Sequence, residues 1–411
     1  MSSLVYASSV GFNTCTLIFI IIFFFISGAS SLFGLYTELG PLLLDDRSLQ
    51  TDEYTATGVP TPIYNENAWT RLGHLLIIDQ PAPVGFSYCN EATDSHSCDG
   101  LSWTDELAAA NSYAALQQFY TVVFPCLASK DLYLTGESYA GIYVPTLART
   151  IMHQHGAGVD AALDDSFGTL KGFAVGDGCL GTETSVCMDL SDPEVVDLWS
   201  ILFLAGHGQV PLSTYRQVLD ACNVANDDSE DPLDVRITST SKVCQEALQK
   251  VKKEVGGFYE YSLYDDCTYR NGLMKTKPGF PRGGIKDYAC GGDIVMTEYI
   301  GLPEVQDALH VESEFFAVDN ADGFDYTPTE KDLTGFYKEI NGVLRVLIYN
   351  GDTDPAITSF AAQNWTSHLG FKESEEWRPW TVDGCRRMGG YVQRYEGDFD
   401  FLTIVSEYLP A

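Results

Sequence analysis

The feature that most constrains the fold is a short glycine–serine motif in the first half of the chain. The motif, Gly136-Glu137-Ser138-Tyr139-Ala140-Gly141, follows the apolar run Asp131–Thr135 and precedes the helical pattern Ile142–Gln154. A strand, a tight turn and a helix in this order form a nucleophile elbow, in which the glycines permit the turn and the serine hydroxyl is exposed. We therefore predict that Ser138 is a catalytic nucleophile; the alternative is a tight glycine turn with a structural serine.

Apolar runs alternate with helical patterns over most of the chain, which is typical of a mostly parallel sheet covered by helices. The candidate strands are Leu75–Asp79, Asp131–Thr135, Leu170–Val175, Val343–Tyr349 and Phe401–Val405, and Thr104–Phe124 is a candidate helix with Thr104 as its N-cap. Residues 186–300 interrupt the alternation and hold five cysteines, so we interpret them as an inserted cap. The predicted fold class is an α/β-hydrolase fold with a mostly parallel central sheet, whose core comprises residues 38–185 and 301–411.

An acidic residue is expected at the end of a later strand, where it would orient the catalytic base. The strand Val343–Tyr349 is followed by Asn350-Gly351-Asp352-Thr353-Asp354, which offers two carboxylates at the carboxyl end of the strand. The spacing alone leaves Asp352 and Asp354 as alternatives.

Several longer motifs resemble those of the serine carboxypeptidases. They are Glu38-Leu-Gly-Pro41, Asp79-Gln-Pro-Ala-Pro-Val-Gly-Phe-Ser-Tyr88, Gly136–Gly141, Leu170-Lys-Gly-Phe-Ala-Val-Gly-Asp-Gly178, Pro303-Glu-Val-Gln-Asp-Ala-Leu-His310 and Tyr349-Asn-Gly-Asp-Thr-Asp354. The resemblance implies release of carboxy-terminal residues from peptides and proteins through an acyl-enzyme on Ser138, without a cofactor. It also implies that Asp354 is the triad acid, that Tyr139 gives one oxyanion N–H, and that Glu137 and Glu38 bind the substrate's terminal carboxylate.

The physics of that acidic pair can be worked out without the family. Two adjacent carboxyl groups cannot both ionise cheaply, so they share a proton and one pKa rises. A protonated pair can donate a hydrogen bond to the terminal carboxylate of a peptide, whereas a deprotonated pair repels it. We therefore expect peptide cleavage to have an acidic optimum.

The chain departs from the family pattern near both ends. Where the family has an Asn-Gly-Gly-Pro-Gly segment, which supplies an oxyanion N–H, this chain has Phe24-Phe-Ile-Ser-Gly28, and no histidine follows His368. As written, the triad therefore has no base, and we expect the sequence to be incomplete at both ends. Two alternatives to a peptidase follow: a catalytically inactive relative that binds peptides or a partner, and an acyltransferase on the same scaffold. In such acyltransferases an Asp tends to replace the Glu of this motif, so Glu137 favours the peptidase.

The amino-terminal segment, residues 1–37, carries no charged side chain and includes the apolar run Leu17–Ile26. Three interpretations compete. The run fits a signal peptide followed by the small residues Ser27-Gly28-Ala29, although a basic start is missing. It fits a membrane anchor through residues 14–36, and it fits a buried central strand of a parallel sheet.

Charge and cysteine content bear on partners and compartment. With 24 Lys and Arg against 57 Asp and Glu, the formal net charge is −33, which excludes nucleic acid as a partner and suits an acidic compartment. The cysteines show no metal-binding spacing, and ten remain, an even number, if Cys15 is removed or lies in a membrane. With the sequon Asn364-Trp365-Thr366, a candidate glycosylation site, they favour the secretory pathway, with a vacuolar, lysosomal or extracellular destination. The oligomeric state stays open.

Overall fold

A computed structural model describes residues 5–8, 21–27, 30–89, 98, 100–155, 167–184, 186, 195–222, 236–238, 241–255, 292–311, 313–316 and 324–405. The strands are β1 (Val5–Ser8), β2 (Ile21–Ser27), β3 (Leu42–Leu43), β4 (Ile63–Tyr64), β5 (His74–Ile78), β6 (Trp103–Thr104), β7 (Asp131–Ser138), β8 (Thr169–Gly178), β9 (Val195–Asp197), β10 (Arg236–Thr238), β11 (Tyr326–Thr327), β12 (Arg345–Gly351), β13 (Glu373–Thr381), β14 (Met388–Tyr395) and β15 (Phe399–Ile404).

The helices are α1 (Ser31–Phe33), α2 (Asp52–Thr57), α3 (Asp105–Gln118), α4 (Ala140–His155), α5 (Leu198–Gly206), α6 (Leu212–Ala221), α7 (Lys242–Val255), α8 (Gly292–Ile300), α9 (Pro303–Leu309), α10 (Thr334–Ile340) and α11 (Ser359–Ser367). Two π-helical segments, Gly34–Leu39 and Phe119–Val123, extend α1 and α3, and short 3₁₀ turns lie at Asp46–Leu49, Trp69–Arg71 and Pro125–Leu127.

Nine strands form one sheet in the order β1-β5-β2-β7-β8-β12-β15-β14-β13. Six neighbouring strands run parallel: β5, β2, β7, β8, β12 and β15. At one edge β1 pairs with β5 in the antiparallel direction, and at the other edge β14 is antiparallel to both β15 and β13. Because parallel strands need crossover connections, helices lie between them in sequence. The predicted fold class, an α/β-hydrolase fold with a mostly parallel central sheet, is confirmed.

Strand β5 shows how the sheet separates two apolar layers. Leu76 and Ile78 pack into a large core with α3, α4, α10 and α11, whereas Leu75 and Ile77 pack with α1, the π-helical segment and α8 on the opposite face. Successive side chains of a strand point to opposite faces, so a strand covered on both sides is apolar throughout. This explains the continuous apolar run of β5, whose five residues are all buried.

The predicted elements recur with small shifts at their ends. The five candidate strands correspond to β5, β7, β8, β12 and β15. The candidate helix Thr104–Phe124 is α3 with its π-helical extension, and the Thr104 hydroxyl accepts a hydrogen bond from the backbone N–H of Leu107, as an N-cap does.

The apolar run near the amino terminus lies in the sheet. Residues 21–27 form β2, which pairs in parallel with β5 on one side and β7 on the other. Its backbone is therefore hydrogen-bonded in the sheet, and the helix that the anchor interpretation requires is not formed by residues 21–27. No helix in the described ranges is long and apolar enough to cross a membrane. Residues 1–4, 9–20, 28 and 29 lie outside the described residues, and the signal-peptide interpretation stays a prediction.

The described part of residues 186–300 has an apolar cluster of its own. Ile201 of α5, Val218 of α6 and Leu248 of α7 pack together, and a disulfide joins Cys222 to Cys244. Two short strands, β9 and β10, pair here as well. Helix α8, by contrast, packs on the core layer beside α1. The division into a core and a cap stays a prediction; Cys187, Cys267, Cys290 and the acidic loop at 226–231 lie outside the described residues.

Candidate active site

The predicted strand, turn and helix around Ser138 are present. Strand β7 ends at Ser138 and α4 begins at Ala140, and Ser138 has a φ of 62°, a left-handed conformation that is uncommon for a residue with a side chain. Such local strain is typical of a nucleophile elbow. A Cβ at Gly141 would lie 2.2 Å from the backbone oxygen of Cys179, so only glycine lets α4 start this close to the end of β8.

Tyr139 lies between the serine and the first turn of α4. Backbone N–H groups at the start of a helix have no acceptor within the helix, which suits the predicted oxyanion role of Tyr139. The phenol of Tyr139 donates to Oδ1 of Asp105 at 2.9 Å, and that of Tyr326 donates to the same oxygen at 2.6 Å. Asp105 is fully buried, and its Oδ2 accepts the backbone N–H groups of Thr329 and Glu330 at 2.6 Å each. This carboxyl group therefore fixes the ring next to the nucleophile.

Asp354 follows β12, two strands away from Ser138 in the sheet. It is 6% exposed, and its Oδ1 accepts backbone hydrogen bonds from Ala356 at 2.6 Å and Ile357 at 3.2 Å. Burial raises the pKa of Asp354 to about 6 although these hydrogen bonds lower it. The charge of Asp354 also raises the pKa of Glu137. The other candidate acid, Asp352, is half-buried, and its backbone N–H donates to the carbonyl oxygen of Ile404 on β15. The assignment of Asp354 as the triad acid stays a prediction.

The structure brings Glu38 and Glu137 together. Glu38 lies at the end of the π-helical segment after α1, Glu137 directly precedes Ser138, and their side chains are hydrogen-bonded to each other. Solvent reaches Glu38, yet protein atoms surround its carboxyl group closely enough that desolvation raises its pKa. The pKa of Glu137 is raised much further, by burial and then by the charge of Glu38. Burial raises the pKa of both carboxyl groups, and two such neighbours cannot both ionise cheaply, so the pair shares one proton.

Two further side chains of this site were missed by the sequence reasoning. Asp177, at the end of β8 with a φ of 40°, accepts hydrogen bonds from the backbone N–H of Gly351 at 3.0 Å and from Asn350 Nδ2 at 3.1 Å. Its pKa is raised well above the usual range by burial and by Asp354. Tyr349 of β12 lies on the other side of Gly176 from Glu137. Both residues stand at the carboxyl ends of parallel strands, a position that could have identified them.

The histidines take other positions in the described structure. All but His96 lie in the described ranges, and none of these is hydrogen-bonded to Ser138 or Asp354. His155 contacts the hydroxyl of Tyr113 at 2.9 Å, and Nδ1 of His207 lies 2.8 Å from the backbone oxygen of Phe203. His368 is exposed at the end of α11, with its Nδ1 2.7 Å from the backbone oxygen of Asn364.

The glycosylation sequon and the cysteines were also predicted from the sequence. Asn364 is half-buried in α11 and Thr366 of the same sequon is fully buried, so glycosylation there stays a prediction. A disulfide joins Cys89 to Cys98, and both Cys126 and Cys179 are disulfide-bonded as well. Cys385 is a free, exposed cysteine. Among the described residues, no group of three or more His, Cys, Asp or Glu side chains is arranged to hold a metal ion.

Known proteins are similar to this chain in sequence and in fold. The sequence pattern of the serine carboxypeptidases matches residues 27–406. The chain is 27% identical over 384 residues to serine carboxypeptidase-like 32 of Arabidopsis thaliana, with 90% of this chain and 74% of that protein covered. It is 29% identical over 419 residues to the lysosomal protective protein of Mus musculus, with 92% and 77% covered.

The fold is similar to that of KEX1(DELTA)P, a prohormone-processing carboxypeptidase from Saccharomyces cerevisiae. The TM-score is 0.68 at 18% identity, over 98% of this chain and 82% of that one. The family pattern thus spans most of the chain and includes the strand, elbow and helix that carry Ser138. The chain belongs to the serine carboxypeptidase family, whose members are serine-type hydrolases.

Proposed function

We propose that this chain is a serine-type carboxypeptidase that releases carboxy-terminal residues from peptides and proteins through an acyl-enzyme on Ser138. The hydrogen-bonded pair of Glu38 and Glu137 carries the proposal, because it is adjacent to the strained serine. A protonated carboxyl pair can donate a hydrogen bond to a peptide's terminal carboxylate, and this would hold the last peptide bond near Ser138.

The other roles follow from the same arrangement. Ser138 attacks the carbonyl carbon of the last peptide bond, and the N–H of Tyr139 donates to the oxyanion that forms. Asp354 would orient the base that takes the serine proton, which the family resemblance predicts to be a histidine. When the tetrahedral intermediate collapses, the C–N bond breaks and the base gives its proton to the leaving amino acid; water then hydrolyses the acyl-enzyme and restores Ser138.

One observation favours a second candidate, a non-catalytic relative that binds peptide carboxyl ends. None of the described histidines is hydrogen-bonded to Ser138 or Asp354, so within the described structure the serine has no histidine base. The carboxyl pair is independent of that base, and it would still bind a terminal carboxylate. The acyltransferase alternative has less support, because Glu137 retains the residue type that the peptidases of the family carry.

A two-part experiment separates these candidates. Reaction of Ser138 with a fluorophosphonate, detected by intact mass and absent in Ser138→Ala, tests for an activated nucleophile. A higher affinity for N-acetyl-phenylalanine than for its amide at pH 4.5 would indicate recognition of a carboxylate. The peptidase gives both results, and the non-catalytic relative gives binding without labelling. Labelling without a preference for the acid would refute both and favour an esterase or acyltransferase.

We also propose a secretory, lysosomal or vacuolar location. The disulfides Cys89–Cys98 and Cys222–Cys244 support an oxidising compartment. The raised carboxyl pKa values support an acidic one, since the carboxyl pair needs its proton to bind an anion. Non-reducing peptide mapping of secreted protein would test the disulfides.

A further inference from the structure

Three neighbouring strands place a phenol on the same face of the sheet as the carboxyl pair. Gly176 of β8 pairs with Glu137 of β7 on one side and with Tyr349 of β12 on the other. Side chains of residues that lie side by side in a sheet point to the same face. Glu137 and Tyr349 therefore project to one face, with only a glycine between them.

The absence of a side chain at Gly176 lets the tyrosine ring cross β8. A Cβ at Gly176 would lie 2.5 Å from Cε2 and Cζ of Tyr349 and 2.7 Å from its hydroxyl oxygen. These distances are far below van der Waals contact, so the ring occupies the space above the glycine. The phenol consequently points across β8 towards β7, the strand that carries Glu137.

The electrostatics agree with this placement. Burial raises the pKa of Tyr349 well above its usual range, and the charges of Glu137, Asp177 and Glu38 raise it further. The phenol therefore keeps its proton over the whole range in which the carboxyl pair titrates. Among the described residues no group is hydrogen-bonded to this hydroxyl, so the O–H is available to a ligand.

We propose that Tyr349 is a substrate-binding residue whose phenol donates a hydrogen bond to the carboxylate held by Glu38 and Glu137. This inference rests on the proposed function, because it adds a donor to the same binding site. The pair can donate only while it holds its shared proton, whereas the phenol keeps its proton after the pair has lost its own. A carboxylate has four lone-pair positions and can accept from both donors at once.

Tyr349→Phe removes only the hydroxyl and preserves the ring over Gly176. The affinity of the Ser138→Ala chain, which cannot turn over, for N-acetyl-phenylalanine and for N-acetyl-phenylalaninamide is measured at pH 4.5 by calorimetry. A hydrogen bond to a charged group corresponds to about a tenfold to hundredfold change in affinity. We expect Tyr349→Phe to weaken binding of the acid by that factor and to leave binding of the amide unchanged. Tyr391→Phe, which removes a phenol from an exposed position on β14, should change neither affinity.

The outcomes separate the inference from the function on which it depends. If the parent prefers the acid and Tyr349→Phe binds it equally tightly, the inference is wrong and the carboxyl pair still accounts for binding. If the parent has no preference for the acid, the proposed carboxylate site is wrong and the inference falls with it. Gly176→Ala keeps the hydroxyl but displaces the ring; full affinity of a folded Gly176→Ala chain would contradict the placement.

Discussion

Replacing Glu137 with Gln tests whether a shared proton controls binding of the substrate carboxylate. The substitution keeps the size of the side chain and an N–H donor, but it removes the group that titrates. In the parent, the pKa of Glu137 is raised by burial and by the charges of Glu38, Asp177 and Asp354. A carboxyl group with a raised pKa is protonated below that pKa and loses its proton as the pH rises through it. The affinity of the carboxyl pair for an anionic ligand must therefore fall as the pH rises.

The size of the effect follows from the interaction that is lost. Deprotonation removes a hydrogen bond to a charged ligand, worth about 1.5–3 kcal/mol, and adds repulsion between like charges. We expect the parent's preference for N-acetyl-phenylalanine over its amide to fall at least about tenfold between pH 4.5 and 8. In Glu137→Gln the preference should change much less, because the amide donor does not titrate.

The assay is a pair of binding titrations, acid and amide, at half-unit pH steps in the Ser138→Ala chain. Glu376→Gln, a substitution of an exposed glutamate on β13, is the matched control and should follow the parent. The reasoning would be refuted if Glu137→Gln lost its preference for the acid over the same pH range as the parent, or if the parent's preference did not depend on pH.

Three further predictions concern stability and the elbow. Asp79 is fully buried, and burial raises its pKa from 3.8 to about 6. About 3 kcal/mol of the free energy of unfolding should therefore be lost as the pH rises from 4 through 6, and Asp79→Asn should lose less. Equal slopes of melting temperature against pH in the parent and in Asp79→Asn would contradict this prediction. Gly141→Ala should lower the melting temperature and abolish fluorophosphonate labelling, whereas Gly335→Ala, with nothing within 4 Å of its Cβ, should do neither. Replacing Cys222 and Cys244 with Ser should cost about 3 kcal/mol in denaturant unfolding, and an unchanged midpoint would refute that.

Local patterns were enough to predict the elbow and the central strands. A strand that is covered on both faces is apolar throughout, and a glycine–serine motif between a strand and a helix is a local signature of the elbow. The same physics left the run at 17–26 ambiguous, because a charge-free apolar segment suits a membrane, a signal peptide or a sheet. Residues 21–27 pair with β5 and β7, and pairing with strands that are distant in sequence is not visible in the run itself.

The side-by-side placement of distant residues was beyond the sequence. Asp352 and Asp354 are equivalent as a pattern, and only the family resemblance chose between them. Tyr349 belongs to one of the motifs, but the sequence does not mark it as a site residue, because its closeness to Glu137 depends on the register of three strands across Gly176. Predicting it would need the strand order and the register, together with the knowledge that the intervening residue lacks a side chain.

The most direct test of the central claim is amino-acid release from two peptides that differ only in a free or amidated carboxyl end. At pH 4.5 we expect residues to be lost one at a time from the free end, with little release from the amidated peptide and none by Ser138→Ala. Mass spectrometry of the shortened peptides gives the order of release. Cleavage within the chain, equal cleavage of both peptides, or release that persists in Ser138→Ala would contradict a carboxypeptidase built on this serine and its carboxyl pair.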